Sequence, residues 1–210
     1  MACSASDKTG PVKSLKIGVL PDHHPGKIHA RYVPLLDYLK SKTGIACELV
    51  TPSSYQELLD LFGQKKIDVA FFGGATYVLA HKKYNAVPLV SRFTDSQFRS
   101  MVIVKTDLPA RTLHELKGMT FTFGSELSTS GHFMPRHYFS RRNIEPENFF
   151  SEVKFSGAHD KTAEWVRDGK VQAGVVNAVI LHEMFFDGSL DKKDIRVLWE
   201  SPPDVDYVWG

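Results

Sequence analysis

The chain has 210 residues, of which 42% are hydrophobic, so it is long and apolar enough to bury a core as one large domain or two small ones. Its net charge is only +2 and its basic residues are scattered, which excludes the basic surface of a nucleic-acid-binding protein and predicts no nucleic-acid partner. The chain contains no run of about 18 apolar residues, so no membrane-spanning helix is predicted.

Short β-type runs alternate with helical patterns from Leu15 onward. The first half contains, in order, LKIGVL (15–20), a helical pattern from Ile28 to Leu39, CELV (47–50), a helix around YQELLDLF, VAFF (69–72), a helix opening after Gly73-Gly74, and AVPLV (86–90). This alternation is typical of βαβ units and predicts a parallel sheet covered by helices, because parallel strands require long crossover connections.

A second series of the same kind follows. It contains SMVIV (100–104), MTFTF (119–123), a helix after Gly131, VKF (153–155), a helix near 160–168, AGVV (173–176) and a helix from Val179. The polar run SRFTDSQFR (91–99) is the expected crossing between the halves, and IRVLWE (195–200) is expected to lead back to the first half. The predicted organisation is a tether at 1–14, a first lobe at 15–95 plus 196–210, and a second lobe at 96–195. Two α/β lobes joined in this way leave a ligand cleft between them.

Three hydroxyl residues, Ser128, Thr129 and Ser130, precede a helix predicted from about His132 to Arg141. They would lie at its N-cap and first turn, where backbone N–H groups lack acceptors within the helix. Their hydroxyls, those N–H groups and the positive end of the helix dipole suit a small anion, and Gly131 leaves room for close approach. A structural cap needs only one oxygen, so the run of three favours binding over capping alone.

Other polar residues follow the remaining predicted strands. GGATY (73–77) combines glycines that allow backbone approach with the Thr76 hydroxyl, although ordinary turn chemistry explains the same residues. His159 and Asp160 open a helix of the second lobe and offer a donor and an acidic N-cap, with a purely structural cap as the alternative. Tyr55, after the second strand, is a further candidate donor.

The nine histidines do not form a recognisable metal-binding pattern. His23 and His24 are adjacent, and His132 and His137 are five residues apart. Neither pair has the HExxH spacing that places two ligands on one helical face. We therefore predict neither a metal nor a cofactor.

A serine hydrolase is the enzymatic alternative, with Ser128 or Ser130 as the nucleophile and His159 or His132 as the base. The chain lacks the G-x-S-x-G elbow that exposes such a nucleophile, and it also lacks the G-x-x-x-x-G-K-[ST] loop of common nucleotide hydrolases. A serine without a positioned base is a poor nucleophile, so the residues favour binding without catalysis.

Five ordered blocks extend from Leu15 to Trp209: GVLPDHHPGKIHARYVPLLDYL, DVAFFGGATYVLA, FGSELSTSGHFMPRHYF, FSGAHDKTAEWVRDGKVQAGVVNA and SPPDVDYVW. Together they resemble the phosphonate-binding family of periplasmic solute-binding proteins. The resemblance implies an α/β, two-lobed periplasmic binding protein type II fold that closes on phosphonate, phosphite, phosphate or a related oxyanion. It also implies delivery of the ligand, unreacted, to the membrane permease of an ABC transporter. We expect the protein to be a monomer. By motif, the resemblance assigns ligand contacts to Ser128, Thr129, Ser130, Tyr55, His159, Asp160, Gly74, Ala75 and Thr76.

Three further residues bear on the ligand. Relatives that take aminoalkyl phosphonates place acidic side chains against the amine, whereas this chain has the neutral Asn177 after its AGVV strand, which favours a small inorganic oxyanion. Asp22 or Asp160 in the cleft would favour an oxyanion that keeps a proton over sulfate, which has no proton to donate to a carboxylate. A sensor domain that binds selenite, selenate or arsenite and reports to a signalling protein is the alternative.

Cys3 precedes the small, polar run SASDKTGPVK, which resembles the tether after the lipidated cysteine of a bacterial lipoprotein. A periplasmic or extracytoplasmic location is therefore expected, with lipid anchoring through Cys3. A chance cysteine in a terminal tail explains the same residue.

Overall fold

The computed structural model describes residues 14–210. The predicted tether, with Cys3, lies outside the described residues except for Ser14, which begins the first strand. The strands are β1 (Ser14–Val19), β2 (Ala46–Val50), β3 (Val69–Phe72), β4 (Ser100–Lys105), β5 (Thr120–Phe123), β6 (Glu152–Phe155), β7 (Ala173–Asn177), β8 (Ile195–Glu200) and β9 (Val208–Trp209). The helices are α1 (Pro25–Thr43), α2 (Tyr55–Gly63), α3 (Gly74–Tyr84), α4 (Met134–Ser140), α5 (Pro146–Phe149), α6 (His159–Arg167) and α7 (Ala178–Phe186).

The first lobe is built on a four-stranded sheet in the order β2-β1-β3-β9. Strands β1, β2 and β3 are parallel, and β9 is antiparallel to β3. Because parallel strands end at the same edge, the loops after β1 and β3 emerge side by side, and they carry Asp22 and Gly73 there.

The second lobe is built on a five-stranded sheet in the order β6-β5-β7-β4-β8. Strands β5, β6 and β7 are parallel, whereas β4 is antiparallel to both β7 and β8. The loops after β5 and β6 and the start of α7 therefore meet at one edge, which brings Ser128, His159 and Asn177 together.

Two segments of chain, 85–99 and 201–207, connect the sheets and run side by side. The Phe98 N–H donates to the Asp204 carbonyl at 3.1 Å, and the Asp204 N–H donates to the Phe98 carbonyl at 2.7 Å. Paired connections of this kind are where one lobe can rotate against the other. The predicted two-lobed α/β architecture with a cleft between the lobes is confirmed.

Each lobe has its own apolar core. In β4 the side chains alternate between the two faces of the second sheet, so Met101 and Ile103 enter one cluster while Val102 and Val104 enter the other. The first lobe has a separate cluster around Phe71, which Phe98 and Tyr207 from the connecting segments join. Separate cores allow each lobe to move as a unit.

Two details of the predicted organisation are wrong. The strand Ile195–Glu200 does not return to the first lobe but pairs with β4 at the edge of the second sheet, and the chain crosses back only at 201–207. The run 86–90 is not a strand: Val90 forms a single antiparallel bridge with Trp209, and Val87 and Leu89 are exposed. Pro88 has no N–H for a ladder, which explains why a regular strand does not form.

No helix among residues 14–210 combines the length and the apolar character needed to cross a membrane.

Candidate functional site

The hydroxyl run begins a wide helical turn, Thr129–Phe133, that continues into α4. Ser128 is its N-cap, and the Ser128 hydroxyl oxygen accepts a hydrogen bond from the Gly131 N–H at 3.0 Å. Ser128 and Ser130 are buried, with 2% and 3% of their surfaces exposed. The predicted position of these residues at a helix start is confirmed, although the first turn is wider than an α-helical one.

Each of the three hydroxyl oxygens accepts a hydrogen bond from an N–H group. Ser128 accepts from Gly131 within its own turn, whereas Thr129 Oγ1 accepts from the Ala75 N–H of the first lobe at 2.9 Å. Ser130 Oγ accepts from the Asn177 side-chain amide at 3.1 Å. Because a hydroxyl has one hydrogen, accepting from N–H leaves that hydrogen available for donation. The run therefore has three O–H donors, of which those of Thr129 and Ser130 are directed to the buried carboxylate of Asp206.

His159, at the start of α6, is 1% exposed and lies beside this run. Its Nδ1 accepts the Asn177 backbone N–H at 3.1 Å, so in the neutral ring the proton is on Nε2. Nε2 lies 3.5 Å from the Ser128 hydroxyl oxygen. Burial, with a smaller contribution from nearby His23, lowers the His159 pKa to about 3. His159 is thus a neutral N–H donor directed at the Ser128 hydroxyl oxygen.

Two buried carboxylates face the donors. Asp206, on the returning segment 201–207, accepts the Gly74 N–H at 2.9 Å, and Asp22, after β1, accepts the Tyr207 hydroxyl at 3.0 Å. Burial raises the pKa of Asp206, while hydrogen bonds from Gly74, Ser130 and Thr129 oppose the shift. Burial raises the Asp22 pKa to about 7, against the hydrogen bond from Tyr207. A pocket with donors and carboxylates can bind a group that both accepts and donates.

Tyr55 is the first residue of α2 and is 3% exposed. Burial raises its pKa well above the usual value, as does the charge of Asp22, while a hydrogen bond with Ser128 opposes the shift. The phenol is therefore protonated and close to both Asp22 and Ser128. The structure brings Tyr55, Ser128, Ser130, His159 and Asp22 close together, and their contact with a ligand stays a prediction.

The loop after β3 differs from the prediction of free donors. The Gly74 N–H is used by Asp206, the Ala75 N–H is used by Thr129, and the Thr76 hydroxyl donates to the Gly73 carbonyl at 2.8 Å. Thr76 is completely buried within its own helix start. In the structure, this loop therefore holds the Asp206 and Thr129 side chains in place.

Asn177 and Asp160 also have structural partners. The Asn177 carbonyl oxygen caps α7 by accepting the Val179 N–H at 2.8 Å, while its amide nitrogen positions Ser130. Asp160 is half-buried and accepts the Lys161 N–H at 2.7 Å, at the entrance side of the cleft. Asn177 thus lies behind the hydroxyl run, and Asp160 lies at its margin.

An apolar groove of about 650 Å³ adjoins this site and shares Ala75, Thr129 and Asp206 with it, while Tyr77, Phe133 and Val205 add apolar walls. Its walls are almost entirely apolar, so it does not suit a small charged ligand.

Among residues 14–210 no group of three or more histidine, cysteine, aspartate or glutamate side chains is placed to hold a metal ion.

Two α/β lobes, paired connections and a buried polar cluster at the facing strand ends define a bilobal solute-binding protein. The family model for the periplasmic substrate-binding protein of phosphonate ABC transporters matches residues 17–210, and the chain belongs to this family. The predicted family resemblance is confirmed. Because the family consists of periplasmic proteins that bind a solute for a membrane transporter, its membership also confirms the prediction of binding without catalysis.

The chain is 28% identical over 205 residues to the probable ABC transporter phosphite binding protein PhnD1 of Prochlorococcus marinus, covering 94% of this chain and 69% of that protein. It is 25% identical over 207 residues to the phosphonates-binding periplasmic protein of Escherichia coli, covering 94% of this chain and 61% of that one. The structure of PhnD1 in complex with methylphosphonate superimposes with a TM-score of 0.89, covering 94% of this chain and 75% of that one. A binding component of a phosphonate transporter from Pseudomonas aeruginosa, 19% identical, shares the fold with a TM-score of 0.82, covering 93% of this chain and 67% of that one.

Sequence reasoning did not select Asp206 or Tyr207 for the pocket. Both lie in the run SPPDVDYVW, which carries part of the family resemblance. The available signal was the position of this run between the last strand of one lobe and the edge strand of the other. A connection between lobes necessarily passes the cleft, so an acidic side chain there is a candidate pocket residue.

Proposed function

We propose that this protein is the extracytoplasmic receptor of an ABC importer and that it binds a small phosphorus oxyanion: phosphite, a phosphonate or phosphate. The observation that carries the proposal is that the hydroxyl oxygens of Ser128, Thr129 and Ser130 each accept a hydrogen bond from an N–H group, so each hydroxyl hydrogen is a donor that can turn to an anionic oxygen. In the structure, the hydroxyls of Thr129 and Ser130 are directed to Asp206. His159 adds a neutral N–H, and Tyr55 adds a phenol close to the same point.

The carboxylates support a phosphorus oxyanion over sulfate. A phosphorus acid near neutral pH keeps a proton and can donate it to the carboxylate of Asp206 or Asp22. Sulfate has no proton to donate, so its oxygen lone pairs would face the lone pairs of these carboxylates and be repelled. The two lobes both contribute to the pocket, because Thr129 of the second lobe bonds Ala75 of the first. Closure therefore surrounds the anion with hydrogen bonds from both sides.

The pocket achieves this with neutral donors. The hydrogen bonds among its residues are donated by hydroxyl groups and by backbone and side-chain amide N–H groups. Bonds to an ionised acceptor are about twice as strong as neutral ones and gain further in a water-excluded site. High affinity then requires no salt bridge to the ligand.

The relatives named as phosphite-binding and phosphonates-binding proteins support the same ligand class. We further propose that the receptor acts as a monomer, binds no nucleic acid, and delivers its ligand to a membrane permease. Lipid anchoring through Cys3 belongs to this proposal as well, and Cys3 lies outside the described residues.

The test is isothermal titration calorimetry with phosphite, methylphosphonate, phosphate, sulfate and selenite. We expect at least one phosphorus anion to bind 100-fold or more tightly than sulfate, and Asp206→Asn to reduce that ratio at least tenfold by removing the acceptor for the ligand proton. Asp37→Asn, on the exposed face of α1, is the matched control. Sulfate or selenite binding more tightly than every phosphorus anion would overturn the proposal.

A further inference from the structure

His23 lies where the two lobes meet, beside an ion pair that joins them. Arg31 Nη2 on α1 of the first lobe donates to Glu183 Oε2 on α7 of the second lobe at 2.7 Å. The His23 Nε2 atom lies 3.3 Å from Arg31 Nη1 and 3.5 Å from Glu183 Oε2, so the imidazole is close to both partners. The residue is only 5% exposed.

The second lobe supplies part of the cover over His23. Glu183 is one of its neighbours, and the interlobe cavity whose lining includes His23 is bounded on its other side by Asp160 and Trp165 of the second lobe. Separation of the lobes removes these groups and admits water to the ring, whereas the charges of α1 stay on the same lobe as His23. The surroundings of this ring therefore differ between the open and the closed form.

The closed form disfavours a second proton on the ring. The Arg31 guanidinium can only donate, so Nε2 accepts and the neutral ring carries its proton on Nδ1, which is buried with no hydrogen-bond partner among residues 14–210. A proton added to Nε2 would face the guanidinium, and Glu183 Oε2 is farther away than the usual hydrogen-bond length of about 2.7–3.2 Å. Burial, followed by the charges of Arg31 and Lys27, lowers the His23 pKa to about 3, while Asp187 opposes the shift.

Other charged or titratable groups surround the ring, and a test has to separate their effects from that of His23. They are Asp22 and His24 beside it in the chain, Lys27 and Arg31 on α1, His159, Asp160, Lys161 and Glu164 on α6, Lys170 after α6, and Glu183 and Asp187 on α7. Burial raises the Asp22 pKa to about 7, which acts in the opposite direction, whereas burial lowers the His159 pKa to about 3, which acts in the same direction. Proteins that differ only at His23 share all of these groups.

We propose that His23 couples closure of the lobes to the release of a proton, so that acidification favours the open form and lowers the affinity for the ligand. The neutral ring fits the closed form, whereas the charged ring is solvated only in the open form. An exposed histidine is half protonated near pH 6.5, and the charges of Arg31 and Lys27 move this midpoint somewhat lower in the open form. Below the midpoint, the proton and the ligand favour opposite forms of the protein. The inference rests on the proposed function, because the ligand that closes the lobes is the proposed oxyanion.

The test is calorimetric titration of methylphosphonate at pH 7.5 and 5.5 into the wild type and into His23→Gln, whose amide is uncharged at both pH values and can accept from Arg31. A midpoint near pH 6 predicts that the wild type loses about threefold or more affinity beyond the loss of the variant. The wild type should also release more protons per bound ligand at pH 5.5, measured in two buffers of different ionisation enthalpy. Ionisation of the ligand and of the other residues is common to both proteins and cancels in the comparison. His29→Gln, at an exposed position of α1, is the matched control and should keep the pH dependence of the wild type.

A second measurement needs no variant. The NMR signals of the His23 ring, followed from pH 5 to 8, should titrate in the ligand-free wild type and stay constant in its methylphosphonate complex. An additional wild-type loss smaller than threefold, or a ring that titrates in the complex as it does in the free protein, would overturn the inference and leave the proposed function intact. If methylphosphonate, phosphite and phosphate all fail to bind at pH 7.5, the proposed function fails and this inference with it.

Discussion

Arg31 Nη2 on α1 donates to Glu183 Oε2 on α7 at 2.7 Å, and this ion pair joins the outer faces of the two lobes across the mouth of the cleft. Lys27 makes a second bridge of the same kind to Asp187 at 2.8 Å. Both pairs connect residues of different lobes, so they can form only when the lobes are close together. The two ion pairs therefore stabilise the closed form relative to the open one.

We expect Arg31→Ala and Glu183→Gln each to weaken oxyanion binding two- to fivefold. Partly exposed ion pairs contribute about 0.2–1 kcal/mol, and this pair favours the closed, binding form over the open one. Calorimetry at low and high salt should show that the wild type loses more affinity with salt than either variant, because salt screens the pair. Arg136→Ala, which removes an ion pair with Glu147 inside the second lobe, is the control and should leave affinity unchanged. Full additivity of the Arg31 and Glu183 changes in a double-mutant cycle would contradict a direct coupling.

Ser130→Ala should weaken binding of the phosphorus anion by about 1–3 kcal/mol, because a hydrogen bond to a charged oxygen is lost. The same change leaves the Asn177 side-chain amide without its partner, so a small drop in melting temperature is also expected. The measurement is a titration paired with a thermal melt. Ser41→Ala, at an exposed position of α1, controls for loss of a hydroxyl as such. An unchanged dissociation constant would remove Ser130 from the site.

Asp22 should make stability depend on pH in the acidic to neutral range. Its folded-state pKa is about 7, above the usual 3.8, so between these values the folded protein holds a proton that the unfolded chain has released. Stability from this group is therefore lost as the pH rises from about 4 to 7. The histidines His23 and His159, with pKa values lowered to about 3, act in the opposite direction between about pH 3 and 6.5.

The effect of Asp22 is isolated by comparing the wild type with Asp22→Asn, which keeps an acceptor for the Tyr207 hydroxyl. We expect the melting temperature of the wild type to fall relative to that of the variant as the pH is raised from 5 to 8. The histidines are present in both proteins and cancel in the difference. A constant difference across this range would show that Asp22 does not titrate there.

Gly131→Ala should disrupt the pocket. A Cβ at this position would lie 2.8 Å from both His159 Cε1 and the Ser128 hydroxyl oxygen, so one of these groups must move. Such overpacking costs about 1–3 kcal/mol, and here it displaces two proposed donors. Gly26→Ala on α1 is the matched control, because a Cβ there has no neighbour within 4 Å and alanine favours a helix. Equal melting temperatures and equal anion affinities for the two variants would contradict the proposed packing.

The hydroxyl run at 128–130 is an example of a feature that can be predicted from neighbouring residues alone. A helix start is decided by residues within one turn, so the N-cap at Ser128 could be predicted from FGSELSTSGHFMP alone. The order of strands and helices was predictable for the same reason, since their apolar periodicity is local.

The strand Ile195–Glu200 is an example of a feature that neighbouring residues do not predict, namely the partner of a strand. Its pattern identified it as a strand, but its partner β4 is about 90 residues earlier in the chain, and periodicity does not specify a partner. Asp206 was missed for a related reason. Its importance comes from its neighbours Gly74, Thr129 and Ser130, which lie far from it in the chain.

By itself, the amino-acid sequence determined the alternation of strands and helices and the donor run at 128–130, because short-range periodicity and capping chemistry specify both. The family and its two-lobed fold followed from the resemblance that five ordered blocks of sequence carry. Only the tertiary structure decided which sheet β8 joins, that Asp206 and Asp22 face the donors, and that Thr76 and Asn177 are used within the fold. These outcomes depend on burial and on contacts between segments far apart in the chain, where the solvation and pairing of a polar group are set by its neighbours in space.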